Sequence, residues 1–190
     1  MTRTEVKISG YGGQGVITLG MLITSTAIMN TENLTAAQSE SYGAAARGGA
    51  CWTEVVLDDE TDEIDYPRTV PKNVDVGIFL TDAAVGQYLG EVKKNGGIII
   101  YDPTSISKIR VKKTQALYSV PAQKMAREEI KNPVTANVIM FGAFTALTGV
   151  LDKDAALNGV KDFVPAKAID INVKAFKTGY DYAMKLKEAS

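Results

Sequence analysis

The chain has 190 residues, 45% hydrophobic and 23% charged, which suits one domain with a substantial core. Lysine plus arginine (21) nearly balance aspartate plus glutamate (22), and the net charge of −1 gives no electrostatic case for nucleic acid or an anionic membrane surface. With no histidine and one cysteine, Cys51, the chain lacks imidazole bases, Ser-His-Asp triads, histidine-ligated metals, an internal disulfide and a self-contained iron–sulfur cluster. No apolar run approaches the ~20 residues of a membrane span. The opening, Met1 to Glu5, runs straight into a strand-like segment and reads as free of a signal peptide. Together with the cysteine usage it points to the cytoplasm.

In chain order, the first strand-like run is Val6–Ser9. It meets Gly10-Tyr11-Gly12-Gly13-Gln14-Gly15 and then a helix-like segment, Gln14–Met29. Four glycines in six residues permit positive φ and close approach of the backbone to a rigid group. The amides of Gly13, Gln14 and Gly15 are expected at the positive end of the helix dipole, where an anion or a partner's acceptor is favoured. The loop is not a Walker A loop.

Strand-like runs follow at Leu34–Ala37, Ala50–Leu57, Val74–Leu80, Gly97–Tyr101 and Ala116–Val120. The last three are mostly apolar, as in parallel strands covered on both faces. Helix-like runs are Ala83–Lys94, Ala122–Lys131, Asn137–Thr148, Lys153–Phe163 and Ile169–Glu188. Asp82 and Asn137 are expected N-caps. Pro121 opens the third helix, and Asn95-Gly96-Gly97 ends the second. Asp58 to Glu63 is a solvated acidic turn. The alternation predicts a single α/β domain, residues 1–190, with a doubly wound, mostly parallel, Rossmann-like sheet and helices on both faces.

Between the second and third strands lies Ser39-Glu40-Ser41-Tyr42-Gly43-Ala44-Ala45-Ala46-Arg47-Gly48-Gly49. In a doubly wound sheet this loop shares a rim with the glycine loop. Gly48 and Gly49 clear space for the Arg47 guanidinium to reach a phosphate or carboxylate. The plainer alternative is a glycine-rich turn with a solvated arginine. A stand-alone dinucleotide-binding domain is a second reading. It needs an acidic residue ending the second strand to hold ribose, and the nearest carboxylate, Glu40, lies just beyond it.

The pair Gly10-x-Gly12-Gly13-Gln14-Gly15 and Ser41-Tyr42-Gly43-x-x-x-Arg47-Gly48-Gly49 resembles the gamma subunit of the 2-oxoacid:ferredoxin oxidoreductases, most of all the 2-oxoglutarate type. Asp75–Leu80, Val120-Pro121, Asn137–Gly142 and Asn172–Phe176 with Gly179-Tyr180 extend the resemblance over nearly the whole chain. It departs at Ala44-Ala45, where relatives often carry Pro-Glu, so any role of that glutamate does not transfer. The resemblance implies a subunit that is inactive alone, with pyruvate, branched-chain or indolepyruvate complexes as variants of the same role. In such complexes thiamine diphosphate is held by alpha and beta subunits. Iron–sulfur clusters lie in beta or in a ferredoxin-like delta subunit, and the gamma domain helps enclose coenzyme A. Gly12, Gly13, Gln14, Gly15, Tyr42, Arg47, Gly48 and Asn137 are the implied ligand-facing residues. None is assigned a catalytic or metal-ligating role. The chain binds no cofactor by itself on this reading and self-associates when isolated.

Cys51 is expected as a small buried hydrophobe, and Trp52 at an interface. Met21, Met29, Met125, Met140 and Met184 are expected in the core. Phe176 and Tyr180 are expected on the buried side of the last helix.

Overall fold

The computed structural model describes residues 3–42 and 49–189. Its strands are β1 (Thr4–Tyr11), β2 (Thr35–Tyr42), β3 (Ala50–Asp58), β4 (Val76–Phe79), β5 (Ile98–Tyr101) and β6 (Ala116–Ser119). Its α-helices are α1 (Val16–Asn30), α2 (Asp82–Tyr88), α3 (Ala122–Glu128), α4 (Ala136–Thr148), α5 (Lys153–Phe163) and α6 (Ile169–Glu188). The strands form one sheet in the order β2-β3-β1-β4-β5-β6. The block β1-β4-β5-β6 is parallel. β3 runs antiparallel to both β1 and β2, so the sheet is mixed. This insertion departs from the simple doubly wound order: β2 is an edge strand, one place removed from β1.

Alternation along β1 sets the two faces. Val6 and Ile8 enter the larger core with α1, α3, α4, α5 and α6. Glu5, Lys7 and Ser9 lie on the other side and are also buried. That second face carries α2 and a smaller cluster of Val74, Phe79, Ala84, Val92, Ile99 and Ile106. Helices therefore cover both faces, as expected. Burial of apolar side chains on two faces supplies the main driving force for the sheet.

α4 and α6 form the closest helix pair. A side chain at Gly142 would place its Cβ 2.2 Å from the Phe176 carbonyl oxygen, and one at Gly179 would lie 1.9 Å from the Ile139 carbonyl oxygen. The two backbones meet directly, and the ring of Phe176 packs on Phe141 at 5.6 Å and on Tyr180 at 6.0 Å between centroids. Phe176 is fully buried and Tyr180 partly so, on the expected side.

Several elements differ from the sequence expectations. β2 continues through Tyr42 rather than ending at Ala37, because its polar stretch Gln38–Ser41 pairs with β3. α2 ends at Tyr88 and is followed by a 3-10 turn, Leu89–Glu91. The chain leaves the helix because Val92 forms a parallel bridge with Val74, with Lys93 N donating to Val74 O at 2.9 Å. α3 likewise stops at Glu128 rather than Lys131, and Lys131 adopts φ 61°. The α2 cap is Thr81, whose hydroxyl accepts from Ala84 N at 3.2 Å; Asp82 is one residue inside and accepts from Ser107 N and Oγ. Met125 and Met140 are core residues, but Met21 (46% exposed) and Met29 (75%) are not. They lie on the outer side of α1, a helix apolar around most of its circumference.

Candidate functional site

β1 and β4 send their connections to opposite faces of the sheet, which opens a crevice beyond their carboxyl ends. The glycine loop lies there. Gly13 has φ 97° and Gly15 φ 76°, left-handed values that L side chains avoid. Gln14 turns inward and locks the loop. Its Oε1 accepts from Tyr11 N at 2.7 Å, and its Nε2 donates to Leu80 O at 3.2 Å, joining the ends of β1 and β4. Gln14 N donates to Tyr11 O at 3.1 Å, and Gly12 N to Gly49 O at 2.9 Å. The Gly12 and Gln14 amides are thus engaged in holding the loop, contrary to the expectation that Gln14 N faces a ligand. The Gly13 and Gly15 amides have no acceptor among the described residues.

The loop borders an open cavity of about 550 Å³, within the usual range for small-molecule sites. Gly12 to Gly15, Tyr42 and Asn137 all line it. Residues more than 120 positions apart in sequence therefore meet at one place. Two long helices present their N-termini here. α1 begins after Gly15 and α4 after Thr135; neither has a side-chain cap or an acidic residue in its first turn. The first-turn amides and dipole of α1 favour an anion; at α4 the Ala136 amide donates to Pro133 O and the Val138 amide to Asn137 Oδ1, so that helix adds mainly its dipole. Asn137 is not the N-cap of α4 but lies inside its first turn, because the preceding 3-10 turn Pro133–Thr135 supplies the entry, capped by Asn132. Asn137 Oδ1 accepts from Val138 N at 3.0 Å, and the side chain sits against Gly15, where a Cβ would come 2.9 Å from that of Asn137. Arg47 and Gly48 lie outside the described residues. Tyr42, the last residue of β2, is 56% exposed at the mouth, where exposed Val134 also lies.

Two further wall residues are not among those the sequence assigns to the site. Asp102 is fully buried; Oδ1 accepts from Thr104 N at 2.8 Å and Oδ2 from Gln123 N at 2.9 Å. It closes the first turn of α3, with each carboxylate oxygen accepting one backbone N–H. Its signal in the sequence is an Asp-Pro pair directly after an apolar strand. Cys51 is buried as expected and lines the same cavity. Burial pushes its thiol pKa up, so it remains protonated and weakly nucleophilic. Leu80, Leu19 and Met140 make the inner wall apolar.

On the opposite face Lys7 Nζ is 2.7 Å from Glu54 and 3.2 Å from Glu91, and 4.4 Å and 4.5 Å from the Trp52 and Tyr88 ring centroids. Thr69 and Arg68 also bond Glu54. Burial alone would raise the Glu54 pKa; the Lys7 and Thr69 hydrogen bonds and the Lys7 and Arg68 charges outweigh it and hold the carboxyl below its ordinary range. Trp52 is half-buried within this closed network. Among the described residues no group of three His, Cys, Asp or Glu is placed to hold a metal ion, and no helix is long and apolar enough to cross a membrane.

A mixed α/β domain with an anion-receptive cavity at the switch of its parallel block describes the class. The family follows from comparison: residues 5–182 match the pyruvate ferredoxin/flavodoxin oxidoreductase family, and the chain belongs to it. It is 36% identical to 2-oxoglutarate synthase subunit KorC of Methanocaldococcus jannaschii, over 97% of this chain and 96% of that one. It is 31% identical to ketoisovalerate oxidoreductase subunit VorA of Methanothermobacter marburgensis, over 95% of this chain but 37% of that one. The gamma subunit of a keto/oxoacid ferredoxin oxidoreductase from Geobacter sulfurreducens superposes with TM-score 0.81 at 31% identity, covering 96% of this chain and 99% of that one. A 2-oxoglutarate:ferredoxin oxidoreductase from Magnetococcus marinus, solved with 2-oxoglutarate, coenzyme A and succinyl-CoA, shares the fold at TM-score 0.83 and 20% identity, over 96% of this chain and 31% of that one.

Proposed function

We propose that the chain is the gamma subunit of a 2-oxoacid:ferredoxin oxidoreductase of the 2-oxoglutarate type, and that its cavity encloses part of coenzyme A. The subunit role rests on the near full-length similarity to KorC subunits and to a gamma subunit of known structure. The observation that carries the ligand reading is the meeting of the α1 N-terminus, which has no side-chain cap, and the dipole of α4 with the Gly13 and Gly15 amides at one cavity. Phosphate oxygens match those donors, and the apolar wall suits the uncharged portion of such a molecule. Tyr42 at the mouth offers a ring face to a base. Arg47, which lies outside the described residues, adds a cation on this reading.

The chain is an oxidoreductase subunit, and its residues bind and position rather than react. Both Asp102 oxygens are held by backbone N–H groups, burial keeps the Cys51 thiol protonated, and there is no histidine. One cysteine does not supply a cluster ligand set; on this reading thiamine diphosphate and the iron–sulfur clusters are held by alpha, beta and delta partners. Thiamine diphosphate supplies the decarboxylation chemistry when bound in such a complex. The exposed Tyr11, Tyr42 and Val134 around the loop and cavity fit a mouth closed by a partner chain. A stand-alone dinucleotide site fits less well: β3 intervenes between β1 and β2, which moves Glu40 two strand spacings, about 10 Å, from the glycine loop's strand.

The test is kinetic. In the reconstituted complex Arg47→Ala should raise the KM for coenzyme A by about ten- to a hundredfold, the loss expected for one charge-assisted phosphate contact, with the KM for the 2-oxoacid unchanged. A complex that dissociates on gel filtration while its surviving fraction keeps a normal coenzyme A KM would show that Arg47 faces a partner. The isolated chain, given 2-oxoacid, thiamine diphosphate and coenzyme A, should not reduce a viologen dye; turnover would overturn the subunit reading.

A further inference from the structure

The end of the sheet opposite the cavity carries two poles of opposite charge. β3 emerges there into Asp58–Asp65, where Glu60, Asp62, Glu63 and Asp65 are exposed and none pairs with a cation among the described residues. The strand register sets Asp58 just beyond Thr4 and brings the residues before β5 and β6 to the same level. Those residues are basic. Lys94, Arg110, Lys112 and Lys113 are exposed and have no ion-pair partner among the described residues.

Three of these cations, Lys94, Arg110 and Lys112, border a shallow groove of about 420 Å³. Its floor includes Gly86 and Gly90, where an added Cβ would meet nothing within 4 Å. The flanking loops are pinned to each other. Gly96 N donates to Thr114 O at 2.9 Å, Gln115 Nε2 to Lys93 O at 3.1 Å, and Lys112 N to Gln115 Oε1 at 2.9 Å. The cations are thus held on an ordered frame beside a smooth depression. The like charges repel one another, and nothing among the described residues neutralises them.

The poles leave the sheet at β3 and β5, three strand places apart, or about 14 Å. Two copies related by a two-fold axis through this end would set each acidic segment against the other's basic groove. That is the self-complementary arrangement an isologous dimer requires. We infer that this end is a homodimer surface, with the Glu60–Asp65 segment of one copy seated in the Lys94/Arg110/Lys112 groove of the other. The two cavities would then face away from each other, both open to other subunits. The inference does not depend on what the cavity binds.

An attraction of this kind between exposed charges weakens with ionic strength. The full chain should sediment as a dimer at about 20 mM salt, with its dissociation constant rising at least about tenfold at about 500 mM. Two charge-reversed chains sharpen the test: Lys94→Glu/Arg110→Glu/Lys112→Glu, and Glu60→Lys/Asp62→Lys/Glu63→Lys. Each alone should be monomeric, and their equimolar mixture should recover the dimer. All six sites are exposed, and a melting curve checks that each variant is folded. The inference is overturned by a wild-type monomer at low salt, by a dimer indifferent to salt and to the reversals, or by a mixture that stays monomeric. A wild-type monomer that instead binds polyglutamate through the groove also overturns it and assigns the groove to a foreign acidic partner.

Discussion

Glycine serves opposite purposes in two regions of this molecule. Where α4 crosses α6, Gly142 and Gly179 are missing side chains because another backbone occupies the space, at 2.2 and 1.9 Å from the position of the absent Cβ. In the loop after β1, Gly13 is missing its side chain although a Cβ there would meet nothing within 4 Å; its φ of 97° is what calls for glycine. The first region is complete within the chain. The second leaves backbone donors facing a cavity. A glycine packed against protein reports stability; a positive φ with empty space beside it marks a backbone turn, as at Gly96 and Gly149, and at Gly13 it is the adjoining cavity that leaves room for something outside the chain.

The largest effect expected from breaking this contrast is at the helix crossing. Gly179→Ala forces a methyl group into the Ile139 carbonyl, and neither backbone can yield without moving its helix. Overpacking of this kind should destabilise by at least about 3 kcal/mol, a fall of roughly 6–12 °C in Tm for a chain of this size. A melt unchanged by the substitution would show that α4 and α6 separate freely.

Gly15→Ala should fall between the two regions. It combines a left-handed φ of 76° with a Cβ 2.9 Å from that of Asn137, and should lower stability by about 1–3 kcal/mol. Calorimetry reads the loss. Since the substitution also shifts Asn137 at the cavity wall, coenzyme A affinity should fall with it.

Gly13→Val should separate function from stability most cleanly. The strain of a β-branched residue at φ 97° should amount to about 1–2 kcal/mol, so the chain should fold and give a melting curve within a few degrees of wild type. Assembly or coenzyme A binding by the reconstituted complex should be lost. Full activity would reduce the loop to a tight turn and erase the contrast.

The smallest effect is a pH dependence in a third region, where no glycine is involved. Glu54 is held below its ordinary pKa of 4.5 mainly by Lys7 and Thr69, against the opposing effect of burial. The unfolded chain therefore binds the proton first on acidification. The stabilisation is fully present well above pH 4.5 and is lost as pH falls through that value and then through the lower folded pKa. Glu54→Gln should flatten this portion of the stability curve. An unchanged acid limb would place its origin in other carboxylates.

Much of the site is legible in the residues alone. The glycine loop declares itself by four glycines between an apolar strand and an uncharged helix, because positive φ and close approach have few other residue solutions. Tyr42, which lines the cavity, reads in the sequence as part of a loop. It ends β2 instead, since Gln38–Ser41 looks polar and loop-like only until β3 supplies partners for its backbone. Asp102 is only faintly legible: the Asp-Pro pair after β5 marks a turn, but that its carboxylate accepts from Thr104 N and Gln123 N depends on α3 being brought alongside. Asn137 reads as a cap but lies two positions inside α4, whose N-cap is Thr135, because the 3-10 turn before α4 is too short to leave a periodicity.

By itself the sequence determined the alternation of strands and helices, the absence of histidine, and the glycine-rich turn after β1. These are local properties, carried by side-chain period and by the backbone freedom of particular residues. Only the tertiary structure decided that β3 inserts antiparallel between β1 and β2, that the N-termini of α1 and α4 open on one cavity, and that Gly142 and Gly179 serve packing rather than binding. Each of these depends on which surfaces are buried against which, a matter of shape and hydrogen-bond pairing between segments far apart in the chain. No single stretch of residues carries that information.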